Sequence, residues 1–556
     1  MRRFYRRSQD LPLLGRLSPL GTLLGAAAFA AALWPSLIPR SGAVQGMLAG
    51  FALGIGYAAG GALTLLWVWV VQPAPAPPRA LARHSRIAAV LALGVVIWAL
   101  WMAAGWQDDI RAAMQMPPSE TARPFTIAAI ALVLGAVLLF LGRLFRRTFR
   151  IVAAQVEPFL PRRLARLVGL VATAWLFWAI GAGVFLDRVL GTLDTIYAKV
   201  DDVGPMDLPP PADPLKTGGP GSVVHWNSLG AEGRHRIASG PDAAGISAVS
   251  GRPAQEPLRV YVGLNSAATP EARAALALEE LRRIGGFSRK YLVIAFPTGT
   301  GWVDPAGMSP VEYLTDGDIA SVSVQYSYLP SWLSLLVEPE YGGETAHEVF
   351  RAIYGHWASL PVEDRPRLYL FGLSLGAMNG DLAADFYDVI AAPYQGALWA
   401  GPPFATPSWQ AITQGRVAGS PLWAPRFRDG SLIRFTGQTD RTAEAEAPWG
   451  PMRIVYLQYA SDPIVFFRAD SFWRRPYWLE EPRGPDVSSS FVWVPGVTML
   501  QLVFDMMTAT TTPRGFGHVY AARDYLAGWR AVVGETGGWD KAAVARLGDA
   551  LAAEGL

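Results

Sequence analysis

Long, nearly uncharged apolar windows crowd the first 190 residues of this 556-residue chain, and they constrain its fold more than any other feature. Each is close to the roughly 20 helical residues that cross the hydrocarbon core of a bilayer. The first window is long for a signal peptide and leads into Pro39-Arg40 rather than a small-residue cleavage site, so we interpret it as a retained anchor. The sequence predicts an α-helical membrane domain of about five helices over residues 1–190. The windows are residues 18–37, 45–71, 87–106, 124–142 and 167–186.

Arginine is concentrated in alternate predicted loops of this membrane domain. Arginine and lysine near the ends of spans stay in the cytoplasm, so the arginine-rich tail and loops are assigned to that side. An odd number of spans then places residue 190 onward outside the cytoplasm. The arginines of the tail, the second loop and the fourth loop are Arg2, Arg3, Arg6, Arg7, Arg16; Arg79, Arg83, Arg86; and Arg143, Arg146, Arg147, Arg150, Arg162, Arg163, Arg166.

Composition and motifs exclude several classes of site. The chain has no cysteine, which removes disulfides, thiolate zinc sites and thiol nucleophiles. Its net charge of +3 comes mostly from the loop arginines, so we read it as membrane topology and expect no nucleic-acid partner. The Gly-rich run 298–301 lacks the Lys-Ser/Thr pair of a phosphate loop, and His347, Glu348 and His356 lack the spacing of a zinc helix. We therefore predict no cofactor and no metal.

The chain changes character twice after the membrane domain. Residues 191–257 are rich in Pro, Gly and small polar residues, and we interpret them as an extracytoplasmic linker that carries His225 and His235 as exposed loop residues. From residue 258, short β-branched or aromatic runs alternate with amphipathic stretches, which is typical of a mostly parallel sheet with helices on both faces. The predicted strands are 258–264, 291–296, 321–328, 367–372, 396–401 and 453–460, and the predicted helices lie near 270–284, 344–360 and 376–390.

One of these strands leads into the pattern Gly372-Leu373-Ser374-Leu375-Gly376. In a nucleophile elbow, a serine sits on a strained turn between a buried strand and a helix, with no space for side chains two residues before and after it. Gly372 and Gly376 meet that demand. We therefore predict that Ser374 is a nucleophile, the alternative being a tight strand-to-helix turn without chemistry.

A serine nucleophile needs a base and an acid, which in such folds follow it in the order acid, then histidine. His518 is the only histidine downstream, in the Gly-rich loop PRGFGHVY. Asp462 ends the apolar strand RIVYLQYA and precedes Pro463, and we favour it as the acid. Asp440 is the rival because it ends LIRFTGQTD in a similar manner, and Asp505 is a remote third.

An oxyanion hole takes one N–H from the residue after the nucleophile and another from the loop after an earlier strand. Leu375 supplies the first. The loop Pro297–Trp302 follows the strand YLVIAF, and its residues Gly299, Thr300 and Gly301 are the candidates for the second. The loop at residues 263–265 is the alternative.

Together these motifs resemble a bacterial family of membrane-anchored α/β-hydrolases with a multi-pass N-terminal region. The motifs lie between residues 258 and 520, and the resemblance implies a serine hydrolase of bacterial origin. With the predicted topology, we expect an α/β-hydrolase domain over residues 258–556 and an inner (plasma) membrane location. Leu373 departs from this resemblance, since the family has Glu before the nucleophile. The motifs are RVYVGLNSA, PTGTGWVDP, QYSYLPSWLSLLVEP, LYLFGLSLG, ALWAGPPF, VYLQYASDPIVFF, EEPRGPDVS and GHVY.

An aromatic and apolar segment, residues 463–510, separates Asp462 from His518. It predicts a cap over the site or a helix against the bilayer, with a helix buried in the core as the alternative. With the apolar stretch 329–339 it favours an ester or acyl substrate of lipid or envelope type. An acyltransferase with the same triad and an inactive binding module remain as other functions. The nearly uncharged spans argue against a transporter.

Overall fold

A computed structural model describes residues 17–72, 78–119, 121, 123–186, 208–328, 339–479, 482–534 and 537–556. The chain divides into two compact units. The first comprises Met1–Gly191, Arg468–Leu479 and Val487–Thr508, and the second comprises Thr192–Phe467, Glu480–Asp486 and Ala509–Leu556. The segment between Asp462 and His518 therefore contributes residues to both units.

The first unit is helical. Its helices are α1 (Pro19–Leu33), α2 (Gly42–Val71), α3 (Pro78–Ala113), α4 (Pro124–Val156) and α5 (Arg162–Trp178), which continues into a π-helical stretch (Ala179–Leu186). Among the described residues, four helices are long and apolar enough to cross a membrane. These are α2, α3, α4, and α5 together with the start of the π-helical stretch, as far as Gly181.

The prediction of about five membrane-length helices is corrected at the first window. α1 has 15 residues, which is about 22 Å at 1.5 Å per residue and shorter than a bilayer core of about 30 Å. It begins after Ser18, which caps it, and ends before Pro35. The extent of the apolar window suggested a span, but the two prolines at 35 and 39 stop the helix before it is long enough.

Glycines allow α1 and α2 to approach closely. A Cβ atom on Gly56 would lie 2.5 Å from the Leu24 carbonyl oxygen, and one on Gly60 would lie 2.7 Å from Gly21 Cα. Larger side chains at these positions would push the helices apart. The Gly-rich composition of the second window therefore serves helix packing, and that window is one continuous helix.

A further helix, Val497–Met507, lies in the core of the first unit. Val497 and Phe504 are buried among residues of the bundle, and the Phe504 ring lies 6.0 Å from the Phe51 ring of α2. Three interpretations of the segment 463–510 were open: a cap, a helix against the bilayer and a helix buried in the core. For residues 497–507 the structure supports the buried helix, and the core that buries it is that of the helical unit. Of the predicted apolar stretch 329–339, the structure describes only Pro339. Residues 329–338 lie outside the described residues.

The second unit contains a seven-stranded sheet in the order β1-β3-β2-β4-β5-β7-β6. Every pairing between these strands is parallel. Nearly all strand residues are buried, as expected for a parallel sheet covered on both faces. The strands are β1 (Leu258–Val262), β2 (Tyr291–Phe296), β3 (Ile319–Val324), β4 (Arg367–Leu373), β5 (Gly396–Ala400), β6 (Ile433–Thr436) and β7 (Arg453–Leu457).

The α-helices of this unit connect and cover the strands. The predicted helix at 376–390 is two helices, and the predicted strand at 321–328 begins earlier and ends at Val324. The helices are Gly230–Ala238, Ala243–Ser250, Pro270–Arg283, Pro305–Leu314, Pro339–Ser359, Leu375–Ala383, Phe386–Val389, Pro407–Gln414, Pro463–Phe466, Ala522–Val533 and Lys541–Ala553.

The interpretation of residues 191–257 as a linker does not hold for residues 208–257, which fold with the second unit. Arg236 there and Arg259 of β1 both form ion pairs with the buried Glu312, at 3.0 and 2.8 Å. The two helices of this stretch have only 9 and 8 residues, too short for a clear apolar period. His225 and His235 are both exposed, but His235 lies in the helix Gly230–Ala238 rather than in the predicted loop.

Candidate active site

Ser374 lies between β4 and the helix Leu375–Ala383 in a conformation that L-residues rarely adopt. Its φ is 57° and its ψ is −126°. The backbone N–H of Ser374 donates to the Ala400 carbonyl at the end of β5, at 2.9 Å. Strained backbone of this kind persists where the surrounding structure holds it, and it concentrates at functional sites.

The two glycines beside this turn are required by its geometry. A Cβ atom on Gly372 would lie 2.3 Å from the Gly376 carbonyl carbon. A Cβ atom on Gly376 would lie 2.1 Å from the Phe296 carbonyl oxygen at the end of β2. The turn therefore closes onto the neighbouring strand in the way that the sequence pattern predicts for an elbow.

Asp462 and His518 form a buried pair after β7. Asp462 Oδ2 accepts hydrogen bonds from His518 Nδ1 and from the Tyr520 hydroxyl, both at 2.7 Å, and Oδ1 accepts from the Ile464 N–H at 2.8 Å. Since Nδ1 donates to the carboxylate, the lone pair of the neutral ring is on Nε2. No described residue forms a hydrogen bond with that buried Nε2, Ser374 included. Catalytic hydrogen bonds are often loose without substrate.

Gly401 has no side chain, which leaves space for the His518 imidazole at the edge of the sheet where Ser374 lies. Gly401 follows Ala400, which accepts the Ser374 N–H, and it has a φ of +51°. A Cβ atom there would lie 2.7 Å from His518 Cε1. Sequence reasoning missed this glycine, although its place directly after a strand in GALWAG was a usable signal.

A second buried carboxylate holds the loop of His518. Asp486 Oδ2 accepts from the Ser461 hydroxyl at 2.5 Å and from its N–H at 3.1 Å. Ser461 Oγ in turn accepts from the Gly517 N–H at 2.9 Å, next to His518. The His518 N–H donates to Ala509 O at 3.1 Å. Neither Asp486 nor Ser461 was assigned a role from the sequence, although the motif EEPRGPDVS contains Asp486 and the motif VYLQYASDPIVFF contains Ser461.

The two rival acids lie elsewhere. Asp440 is exposed and accepts hydrogen bonds from the N–H and hydroxyl of Thr442, at 2.9 and 2.6 Å, as in an Asx-turn. Asp505 belongs to the first unit, where the Ser36 hydroxyl and the Leu37 N–H donate to it. Of the three aspartates, the structure brings Asp462 against His518.

The structure gives hydrogen bonds for some of the predicted oxyanion groups and their alternative loop. Leu375 is the first residue of its helix, and the first N–H groups of a helix have no partner within it. The Gly301 N–H, by contrast, donates to Thr298 O at 3.0 Å. In the alternative loop, the Leu264 N–H donates to Gln325 Oε1 at 3.1 Å. Leu375, Gly299 and Thr300 stay predictions for the oxyanion hole.

Asp304 is a further buried carboxyl group just beyond the candidate oxyanion loop. It caps the helix Pro305–Leu314 through the Ala306 N–H and accepts from the Tyr525 hydroxyl, both at 2.9 Å. Burial raises the pKa of Asp304 to about 6. In the part of the chain that the structure describes, no group of three or more His, Asp or Glu residues could hold a metal ion.

Comparison with protein families matches both parts of the chain. A family described as "Alpha/beta-hydrolase family" matches residues 258–547, more than half of the chain, and the N-terminus of an alpha/beta-hydrolase family matches residues 33–241. Comparisons with curated proteins and with solved structures return no match. From the family match, the parallel sheet and the elbow, the chain belongs to this alpha/beta-hydrolase family.

Proposed function

We propose that this protein is a membrane-anchored serine hydrolase that cleaves an ester or acyl bond of a lipid or envelope molecule outside the cytoplasm. The observation that carries the proposal is the buried Asp462–His518 pair, whose Nε2 forms no hydrogen bond with any residue that the structure describes. It lies at the sheet edge that holds the strained Ser374. An inert turn would need neither the strain nor a buried acid-histidine pair.

The residues then have the roles of a serine triad. His518 Nε2 takes the Ser374 hydroxyl proton as Oγ attacks the acyl carbon, and Asp462 holds the ring and stabilises the imidazolium. The Leu375 N–H, with Gly299 or Thr300, stabilises the oxyanion. The proton passes to the leaving alcohol, which leaves an acyl group on Ser374. Water, deprotonated by His518, then releases the acid and restores the serine.

The first unit supports an extracytoplasmic position for the helix Val497–Met507 without any count of spans. Gln501 Nε2 donates a hydrogen bond to Trp34 O at 3.0 Å, and the Ser36 hydroxyl donates one to Asp505. The Phe504 and Phe51 rings are in contact. The inserted helix Val497–Met507 thus packs where α1 ends and α2 begins. The arginines cluster at the opposite ends of the helices, at the start of α3 (Arg79, Arg83, Arg86) and the end of α4 (Arg143, Arg146, Arg147, Arg150). The charge rule assigns the arginine ends to the cytoplasm, and hence the inserted helix to the other side.

Labelling of the detergent-purified protein by a fluorophosphonate tests the nucleophile. We expect wild type to be labelled, and Ser374→Ala and His518→Ala to lose labelling while they stay folded. Ser359→Ala and His347→Ala are matched controls, because both residues are exposed on a helix of the sheet domain, and they should label like wild type. A folded wild type that is not labelled would overturn the proposal.

A panel of fatty-acyl esters then separates the two fates of the acyl group. Release of free acid from the wild type, unchanged by added glycerol, is the result expected of a hydrolase. Quantitative transfer to the glycerol would make the same residues an acyltransferase.

A further inference from the structure

Two stretches of the segment that joins Asp462 to His518, Arg468–Leu479 and Val487–Thr508, belong to the first unit. The Phe504 side chain lies in the core of the helical bundle. The Arg40 and Asp505 side chains are both fully buried and lie 3.7 Å apart. A buried charge pair and a buried aromatic ring fix the helix Val497–Met507 to the bundle rather than leaving it loose.

Four large side chains of this segment that are aromatic or apolar are exposed. Phe472 is 41% exposed, Trp473 70%, Tyr477 40% and Val492 52%. These four residues are called the aromatic edge below. The edge is not a poorly packed core, since Trp478 and Phe491 are buried within the same segment with ring centroids 5.6 Å apart.

Hydrogen bonds hold the two halves of the aromatic edge together. The Gly496 N–H donates to Phe472 O at 2.7 Å, and Trp493 Nε1 donates to Ser471 O at 2.8 Å. The Phe472 and Trp473 ring centroids lie 6.2 Å apart. The residues around 472 therefore stay beside those around 494 as one surface.

Two exposed arginines lie within this edge. Arg474 and Arg475 follow Trp473 directly, and the Arg474 guanidinium lies 5.3 Å from the Tyr477 ring centroid. Trp and Tyr with arginine are typical of the headgroup level of a membrane, where rings stay partly apolar and guanidinium groups reach lipid phosphates. The edge belongs to the same compact unit as the four membrane-length helices.

We propose that the aromatic edge inserts into the headgroup region of the outer leaflet, so that the substrate is a lipid of that leaflet. The choice of substrate rests on the proposed function. The choice of the outer leaflet rests on the rule that arginine-rich ends of membrane helices stay in the cytoplasm. A bilayer is the occupant that the composition and the shared unit favour. A second copy of the chain or another protein would cover the edge without placing it in lipid.

The absence of cysteine allows a direct test of insertion. Trp473→Cys and Val492→Cys would each carry one fluorescent label, with Val362→Cys as the control on an exposed apolar residue of the second unit, 74% exposed. In phosphatidylcholine and phosphatidylglycerol vesicles we expect spin-labelled lipid to quench the first two labels several-fold more than the control, and aqueous iodide to show the reverse. Equal quenching by iodide at all three sites would overturn the proposal. So would protection from both quenchers, which would indicate a protein cover.

Activity tests the substrate class separately. For Trp473→Ala we expect unchanged fluorophosphonate labelling and unchanged kcat on a soluble short-chain ester, but at least about tenfold slower hydrolysis of a long-chain ester in vesicles. Equal activity of variant and wild type on the vesicle substrate would overturn the substrate assignment. If the wild type itself is not labelled, the proposed function fails, while the quenching result still decides whether the edge binds lipid.

Discussion

Hydrogen bonds from two directions position His518. Asp462 fixes the ring through Nδ1, and the chain from Asp486 through Ser461 to Gly517 fixes the backbone of the loop. All of these groups are buried. If one of them were removed, its hydrogen-bond partner could not bond to water instead. We infer that Ser461 is a positioning residue for the base.

Ser461→Ala should slow the acylation step without weakening substrate binding. The Gly517 N–H and Asp486 both lose the hydroxyl, so the imidazole is less well placed, and we expect kcat to fall by about tenfold with KM unchanged. Steady-state kinetics on a soluble ester measures both constants, with Ser359→Ala as the control. A fall in kcat that only follows the fraction of unfolded protein would contradict the positioning role.

Asp304 makes stability depend on pH. Its pKa of about 6 in the folded protein exceeds the ordinary value of 3.8, so the folded state keeps a proton that the unfolded state releases. Stability therefore falls as pH rises from about 4 to about 6, by at most about 3 kcal/mol, and this loss persists at higher pH.

Asp304→Asn removes this ionisation and keeps the helix cap. The thermal unfolding midpoint of the variant should exceed that of wild type at pH 8 and match it at pH 4. Asp440→Asn, at an exposed position, should change neither value. A variant that gains nothing at pH 8 would refute the assignment of this pH dependence to Asp304.

At the scale of elements, the helix Val497–Met507 depends on the pair of Arg40 and Asp505. Asp505→Ala leaves the Arg40 charge buried without its partner, and such losses typically cost about 3–5 kcal/mol. We expect a clearly lower unfolding midpoint in detergent for this variant. Arg40→Met combined with Asp505→Leu should recover most of the loss. A double variant as unstable as the single one would show that the charge pair is not the cause.

At the scale of the whole molecule, the arginine distribution predicts opposite sides for the two ends of the bundle. Single cysteines at Val362 of the sheet unit and Arg83 at the start of α3 test this in oriented membrane vesicles. A membrane-impermeant maleimide should label Val362→Cys in right-side-out vesicles and Arg83→Cys in inside-out vesicles. The reverse pattern would place the sheet unit in the cytoplasm.

Patterns local in the chain were readable from the sequence. Window length and strand periodicity predicted the helical and sheet units, and the spacing of Gly372, Ser374 and Gly376 predicted the elbow, because each depends on neighbouring residues alone. The chain order of acid and base narrowed the partners of Ser374 to a few residues. The length of α1 was overestimated from the sequence, because the hydropathy of a window does not depend on where prolines end a helix.

Contacts between distant residues were decided only by the tertiary structure. Asp462 rather than Asp440 meets His518, Gly401 makes room for the imidazole, and Asp486 supports its loop. The helix Val497–Met507 belongs to the helical unit through the hydrogen bond of Asp505 with Ser36, 469 residues apart in the chain. No local pattern encodes such pairs, because their energy arises only when folding brings both partners out of water together.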